Sequence, residues 1–90
     1  MPIEIRHSSS FKRDFKKAKR QRKDVSKLNA ALALLADGKP LPDLNRDHPL
    51  GGDLIGYREC HLEPDWLLVY RVTADCVKLA RLGSHSELFD

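Results

Sequence analysis

The sequence predicts an α+β fold in which two helices cover one face of an antiparallel sheet. Three observations lead to this prediction. Ninety residues are enough for one small domain, residues 1–90. A short alternating segment comes first and is followed by two segments with helical periodicity. Three segments of strand-like composition joined by short turns complete the chain, which is typical of an antiparallel meander.

The first half of the chain predicts a short N-terminal strand and two amphipathic helices. Residues 2–7 alternate between apolar and polar side chains, as in a half-buried strand. The serines at 8–10 offer N-cap oxygens to a first helix, and Asp24 offers one to a second. Gly38 is expected to end the second helix. Each helix has an apolar stripe, formed by Phe11, Phe15 and Ala18 in the first and by Val25, Leu28, Ala31, Leu32, Leu35 and Ala36 in the second.

The second half predicts a long loop and three strands. Residues 38–53 form a polar connection rich in proline and glycine, and a loop of this length is often functional. The strands are predicted at 54–62, 66–72 and 76–82. Side chains two apart in a strand share a face, so alternation groups Ile55, Tyr57, Glu59 and His61 on one strand, and Val77, Leu79, Arg81 and Gly83 on another.

The end of the chain is expected to form a short turn or helix. Ser84 and Glu87 have the spacing of a capping box. Helices packed on one side leave the other face of the sheet open, and an open face is a common platform for nucleic acid. Tyr57, Arg58 and Arg71 are expected to be cross-strand partners in this sheet.

Positive charge is concentrated in one segment. Residues 12–23 hold eight of the 16 Lys and Arg residues and one acid, which makes that segment +7 and the remainder −4 within a total of +3. Concentrated positive charge attracts polyanions and releases counterions on binding. The segment therefore indicates contact with nucleic acid. A solvated helix face or a surface for an acidic protein partner are the alternatives.

Other features of the sequence predict where in the cell the protein is located. No apolar run approaches the roughly 20 residues needed to cross a bilayer. The N-terminal segment lacks the hydrophobic region of a secretory signal. We therefore expect a soluble cytoplasmic protein that does not engage a membrane. Cys60 and Cys76 are expected to be free thiols on neighbouring strands.

The second half also carries side chains that suit RNA cleavage. Cutting a phosphodiester needs a proton acceptor, a proton donor, a cation for the developing charge and a flat surface for a base. Histidine can exchange a proton near neutral pH. Each candidate also has an ordinary structural role, because a tryptophan is often core and a histidine is often a surface residue. Two histidines and one carboxylate can bind zinc or iron, so a metal site is an alternative use of these residues. Because no HExxH or CxxC spacing occurs, we expect neither a metal nor another cofactor. The candidates are His48, His61, Asp65, Trp66, Arg81 and His85.

Three strings resemble the YafQ-type branch of the RelE superfamily, which comprises bacterial toxins of type II toxin–antitoxin pairs. They are DHPL at 47–50, GYRECHLEPDWLLVY at 56–70 and ARLGSHSELF at 80–89. The resemblance extends over nearly the whole chain. It implies a RelE-like fold and a metal-independent endoribonuclease that cuts translated mRNA in the A site of the 30S subunit. It also implies a cognate antitoxin of the DinJ or RelB type, with operator DNA reached only through that antitoxin.

The resemblance also implies roles for individual residues. His85 is our choice of general acid, and the base is Asp65, His48 or His61. Arg81 suits the charge that gathers on the phosphorane, because guanidinium is always protonated and binds phosphate in a bidentate manner. Trp66 and Phe89 are expected to stack on bases. The residues expected to bind ribosomal RNA are Lys12, Arg13, Lys16, Lys17, Lys19, Arg20, Arg22 and Lys23.

Two other functions use the same sequence features. A ParE-like toxin would keep the fold but act by binding a protein such as gyrase, and it would need no acid or base. A non-catalytic RNA-binding module would use the basic segment and the open face alone. Cleavage of translated mRNA would separate the first function from both alternatives, and a small acidic gene directly upstream would indicate a toxin.

Overall fold

A five-stranded sheet with helices packed on one face forms the body of the molecule, as a computed structural model describes it for residues 4–89. Residues 2 and 3 of the predicted first strand lie outside the described part. The elements are β1 (Glu4–His7), α1 (Ser9–Arg20), α2 (Val25–Ala36), β2 (His48–Pro49), β3 (Arg58–Glu63), β4 (Trp66–Val72), β5 (Cys76–Gly83) and α3 (His85–Phe89). The strands follow the order β1-β5-β4-β3-β2, with β1 parallel to β5 and the other pairs antiparallel. The predicted α+β architecture is confirmed.

The helix ends follow the capping residues that the sequence offers. The Ser8 hydroxyl accepts a hydrogen bond from the Phe11 N–H at 2.9 Å, and Asp24 accepts one from the Ser26 N–H at 3.0 Å. After α2, Gly38 adopts a φ of +69°, which glycine reaches at little cost. Helix α1 ends at Arg20, so the basic segment at 12–23 extends beyond the helix into the following turn. The predicted helix starts and the stop after α2 are therefore confirmed.

The core lies between the helices and the facing side of the sheet. Helix α1 contributes Phe11 and Ala18, and α2 contributes Leu28, Ala31 and Leu35. Trp66 is 1% exposed within this core, which corrects its predicted role as a stacking surface for bases. A residue of this size stabilises the fold through the apolar area that it buries. The sheet residues of the core are Cys60, Leu62, Trp66, Leu68, Tyr70, Val77, Leu79 and Leu82.

A bulge in β5 changes which side chains share a face. Val69 pairs with Arg81, whereas the next residue, Tyr70, pairs with Leu79, so Ala80 is the extra residue. Arg81 therefore shares a face with Val69 and not with Leu79. The prediction that Arg81 and Gly83 lie on the same face as Val77 and Leu79 is wrong, because strict alternation fails at a bulge. We call the side of the sheet turned away from α1 and α2 the open face; it contains Glu59, His61, Leu67, Val69, Arg81 and Gly83.

The long connection has more structure than predicted. It contains the short strand β2, and 3-10 turns at Asp43–Asn45 and Gly52–Leu54. Strand β3 begins at Arg58 rather than at residue 54, and Ile55 is 77% exposed outside any strand. The predicted facing of Ile55 is therefore wrong. The glycine-rich segment at 51–56 turns the chain before β3 can begin, since Gly52 and Gly56 both have positive φ.

Asp47 anchors this connection to the sheet. Its Oδ1 accepts hydrogen bonds from the Tyr70 hydroxyl at 2.6 Å and from Arg58 Nε at 3.2 Å. Burial and the Asp47 carboxylate both raise the pKa of Tyr70, so the phenol keeps its proton and remains a donor. Asn45 adds a hydrogen bond to the His61 carbonyl at 2.7 Å. These contacts hold residue 48 against β3, where His48 pairs with Glu59.

Candidate active site

Cross-strand pairing brings three of the predicted site residues, His48, His61 and Arg81, to one part of the open face. One row crosses four strands and comprises His48, Glu59, Val69 and Arg81. A second row, one step along the strands, comprises His61, Leu67 and Gly83. His85 follows immediately at the start of α3. Residues far apart in sequence therefore meet because the register places them in adjacent rows.

Glu59 is the centre of the cluster. Its carboxylate Oε1 lies 3.7 Å from His48 Nε2, 3.5 Å from His61 Nε2 and 3.9 Å from His85 Nε2. Glu59 is only 4% exposed, and a carboxylate is costly to bury without compensating partners. The centroid of the His61 ring lies 6.4 Å from the centroid of the His48 ring and 5.7 Å from that of the His85 ring. The three imidazoles therefore surround one buried oxygen.

The sequence interpretation did not assign a role to Glu59. Alternation does place it beside His61 on the same side of β3. Glutamate in a strand is nevertheless an ordinary surface residue, and nothing in the linear spacing shows that three histidines would converge on it. The available signal was an acid two residues before a candidate histidine on a predicted open face.

His48 has a defined tautomer. Its Nδ1 lies 2.7 Å from the Arg46 carbonyl oxygen. A carbonyl oxygen only accepts, so Nδ1 must carry the hydrogen and donate it. The neutral ring then has its lone pair on Nε2, the atom that faces the cluster. Arg46 holds this carbonyl in place from a left-handed backbone conformation with φ of 48°.

His85 lies between two carboxylates. Its Nδ1 is 3.4 Å from Asp65 Oδ1, and its Nε2 faces Glu59. The His85 backbone N–H also donates to Asp65 Oδ1 at 3.1 Å. The pKa of Asp65 is lowered by this backbone hydrogen bond and then by the imidazole, so Asp65 remains an ionised acceptor. Phe89 lies beside the His85 ring at 6.1 Å between centroids and is 42% exposed.

Helix α3 packs closely against the open face. A Cβ at Gly83 would lie 3.1 to 3.3 Å from side-chain atoms of Glu87 and Leu88, so these side chains would have to move by a few tenths of an ångström to admit a larger residue. The Ser84 N–H donates to Glu87 Oε1 at 2.9 Å, and the Glu87 N–H donates to the Ser84 hydroxyl at 3.2 Å. This is the predicted capping box, and it is confirmed. Glu87 also forms an ion pair with Lys17 of α1, which ties the position of His85 to the helix layer.

Arg81 lies in the first row but makes its contacts with α1. Its Nε and Nη2 lie 2.8 Å and 3.4 Å from the two carboxylate oxygens of Asp14. The Leu82 N–H also donates to Asp14, at 3.0 Å. Arg81 is two strands away from Glu59 in the same row. The structure therefore places Arg81 at the edge of the cluster, held by an ion pair.

Part of the basic segment is engaged within the fold. Lys17 pairs with Glu87, and Lys23 lies 3.9 Å from Glu63 and 6.0 Å from the centre of the Trp66 ring. Among residues 4–89, no carboxylate lies within 4.0 Å of the other basic residues of this segment. Those that remain available to a polyanion are Lys12, Arg13, Lys16, Lys19, Arg20 and Arg22.

Three donors of the cluster could also hold a metal ion. One ligand atom from each of Glu59, His61 and His85 lies within 4.8 Å of the others. Two imidazoles and a carboxylate form a donor set that suits zinc, copper or iron. Linear spacing gave no hint of this set, because the donors come from β3 and α3. Cys60 and Cys76 are both buried free thiols, as predicted, but β4 separates their strands β3 and β5, so the prediction that they lie on neighbouring strands is wrong. No helix within residues 4–89 is long and apolar enough to cross a membrane.

Comparisons with known proteins place the chain in a family. Residues 3–90 match the family described as the bacterial toxin of type II toxin–antitoxin system, YafQ. The mRNA interferase toxin YafQ of Escherichia coli K12 is 40% identical over 87 residues, which cover 96% of this chain and 95% of that protein. The toxin in the crystal structure of the E. coli DinJ–YafQ complex matches with a TM-score of 0.92 at 38% identity, and all of both chains is covered. A metal-bound toxin from Helicobacter pylori matches with a TM-score of 0.91 at 43% identity over 97% of this chain and 99% of the other.

Proposed function

The chain belongs to the YafQ family of bacterial toxins of type II toxin–antitoxin systems, and from this premise we propose that it is an mRNA interferase that cuts ribosome-bound mRNA in the 30S A site. The observation that carries the proposal is the grouping of three imidazoles around Glu59 on the open face. A protein-binding toxin of the ParE type needs no such grouping. Because translated mRNA is the substrate, the site of action is the bacterial cytoplasm.

His48 and His85 are the base and acid of the proposed reaction. His48 Nε2 takes the proton of the 2′-hydroxyl, and the 2′-oxygen attacks the adjacent phosphorus. The bond from phosphorus to the 5′-oxygen then breaks, and its electron pair leaves on that oxygen, which receives a proton from His85. The products are a 2′,3′-cyclic phosphate, which water can open to a 3′-phosphate, and a 5′-hydroxyl. His48 suits the base because its Nδ1 donates to Arg46, which leaves the Nε2 lone pair facing the cluster.

His85 suits the acid because a carboxylate faces each of its ring nitrogens. That arrangement matches a cationic imidazolium, the form that can release a proton. Asp65 accepts from the His85 backbone as well as its ring, so its role here is to position His85 rather than to act as base. Glu59 lies close enough to all three rings to align them, and His61 is placed between the other two to contact the phosphate.

The remaining groups contribute charge and stacking. The Asp14 carboxylate faces Arg81 Nε and Nη2. Because a guanidinium has five N–H donors, several of them stay available for phosphate oxygens. The exposed ring of Phe89 provides a stacking surface beside His85. The basic residues of α1 and its following turn dock on ribosomal RNA, and an antitoxin of the DinJ type neutralises the toxin.

The test is cleavage of a defined mRNA in ribosome complexes, with the products analysed for a cyclic phosphate and a 5′-hydroxyl. We expect His85→Ala to lose activity, whereas His7→Ala should retain it because His7 packs on Phe11 away from the cluster. Intact mRNA with the wild-type toxin, or equal loss with both variants, would contradict the proposal.

A metal-assisted reaction is the second candidate, since a relative from H. pylori is metal-bound and Glu59, His61 and His85 form a donor set here. We propose that cleavage does not need the metal, because the acid and base above complete the proton transfers. Full activity in EDTA, measured on protein from which a chelator has removed any bound metal, would support metal-independent cleavage. Loss of activity that zinc or copper restores would establish the metal-assisted reaction instead.

A further inference from the structure

A third row on the open face is basic and lies next to the first row, which contains His48, Glu59, Val69 and Arg81 and is called the catalytic row below. Arg6 pairs with Lys78, and Lys78 pairs with Arg71. Tyr57 directly precedes Arg58, which pairs with Tyr70, and it therefore lies opposite Arg71. The side chains of Arg6, Lys78 and Arg71 are on exposed residues. The row therefore carries three cations and one aromatic ring across four neighbouring chain segments.

This arrangement is unfavourable for the sheet itself. Like charges directly opposite each other on neighbouring strands destabilise a sheet. Arg6 is relieved by Glu4, whose carboxylate lies 3.3 Å from its Nε. Within residues 4–89, no carboxylate lies within 4.0 Å of the Arg71 or Lys78 side chain. A bound polyanion would therefore compensate the repulsion between these two adjacent cations.

Tyr57 gives the row the surface that a base needs. The Arg71 guanidinium carbon lies 5.8 Å from the centre of the Tyr57 ring. Tyr57 also lines a shallow depression together with Arg6 and Lys78, which extends to Ala80 at the β5 bulge. An aromatic ring flanked by cations in a concave surface is typical of sites for single-stranded nucleic acid.

The row continues directly from the catalytic cluster. Arg71 is two residues from Val69 on β4, and Tyr57 is two residues from Glu59. Two residues in a strand span roughly 6.6 Å, so a strand of RNA held at the cluster would reach the basic row within one or two nucleotides. The basic segment at 12–23 lies mainly in the helix layer, which packs on the opposite side of the sheet from this row.

We propose that Tyr57, Arg71 and Lys78 form a subsite for the mRNA that flanks the cut nucleotide. Arg71 and Lys78 bind its phosphates, and Tyr57 stacks on a base. The assignment rests on the proposed mRNA interferase function and deepens it. Messenger RNA fits better than an acidic peptide, because the row combines a stacking surface with its cations and joins the catalytic row without interruption.

The experiment compares Lys78→Gln and Arg71→Gln with Lys39→Gln, which removes one exposed charge at the end of α2. A single-stranded oligonucleotide with a 2′-deoxy nucleotide at the cut position serves as an uncleavable probe, and its affinity is measured across salt concentrations. Lys78→Gln and Arg71→Gln should each weaken binding of the probe and lower the slope of log affinity against log salt concentration by about 0.7. Tyr57→Leu should weaken binding about 5- to 150-fold, whereas Tyr57→Phe should preserve it. Lys39→Gln should leave affinity and slope unchanged.

Ribosome assays with the same variants provide the second readout. We expect KM for ribosome-bound mRNA to rise while kcat is preserved, since these residues do not touch the reacting atoms. Unchanged KM and unchanged probe affinity would overturn the subsite. Weaker binding of a DinJ-type antitoxin with unchanged RNA binding would also overturn it and assign the row to an acidic protein. If the wild-type toxin cuts no mRNA, the proposed function fails. If the wild-type toxin cuts mRNA and the variants show the same KM and probe affinity as the wild type, only the subsite is refuted.

Discussion

The two faces of the sheet are built from the same strands but serve different purposes. On β3, Cys60 and Leu62 face the helices and are buried in the core, whereas Glu59 and His61 face the other way and form the cluster. The helix side gains stability by removing apolar area from water. The open face buries a carboxylate and places like charges side by side, which costs stability. Neighbouring residues of one strand should therefore respond very differently to substitution.

The largest expected effect is on the open face. His85→Ala should reduce the rate of mRNA cleavage by about 10²- to 10⁴-fold, the usual contribution of general acid–base catalysis. The unfolding transition should not move, because His85 is exposed. Rates from single-turnover cleavage and midpoints from thermal unfolding test the two halves of this statement. A variant that unfolds at a lower temperature and cuts at the parent rate would reverse the assignment of the two faces.

A core substitution should produce the opposite pattern. Leu68 is fully buried on the helix side of β4, so Leu68→Ala should lower the free energy of unfolding by about 2 to 5 kcal/mol. Activity per folded molecule should be preserved, since Leu68 faces away from the cluster. Urea unfolding gives the first quantity, and titration of active sites gives the second. A small loss of stability with a large loss of turnover would contradict the division between the faces.

Glu59→Gln tests the buried carboxylate of the open face. The amide keeps the shape of the side chain but removes the charge that faces the three imidazoles. We expect cleavage to fall by about 10-fold or more, while stability is retained or rises, because a carboxylate is costly to bury. Glu63→Gln is the matched control, since Glu63 lies on the same strand and pairs with lysines away from the cluster. Unchanged cleavage in Glu59→Gln would remove Glu59 from the site.

Tyr70→Phe links the two faces. The ring stays in the core, but the hydrogen bond to Asp47 is lost. A hydrogen bond to a charged group contributes about 1.5 to 3 kcal/mol, so stability should fall by about that amount. Because Asp47 holds the segment that carries His48, cleavage should fall as well. Equilibrium unfolding and cleavage rates measured on the same samples check this coupling. Parent-level activity would show that His48 does not depend on this anchor.

The smallest effect concerns the Cys60 thiol. Burial raises the pKa of Cys60 to about 12, so at pH 8 very little of it is the reactive thiolate. We expect thiol reagents to label Cys60 in the native protein only as fast as the core opens. Peptide mass spectrometry separates Cys60 from Cys76, and labelling in denaturant gives the reference rate. Labelling of the native protein at that reference rate would show that the helix side of β3 is not sealed.

The sequence alone determined most of the local structure. Periodicity and capping residues predicted α1, α2, β4 and the short terminal helix, because these signals depend on contacts only a few residues apart. The resemblance in the strings that contain the histidines pointed to the family. The individual roles of the site residues stay predictions, and Trp66 was misplaced because local pattern does not distinguish a buried aromatic from an exposed one.

Only the tertiary structure decided how the site is assembled. The bulge at Ala80 moved Arg81 to the open face, and the Asp47 anchor brought His48 to Glu59. The packing of α3 close to Gly83 places His85 in the cluster. Each of these depends on strand register and on contacts between residues distant in the chain. Such contacts are fixed by packing over the whole sheet, so a local sequence pattern carries no record of them.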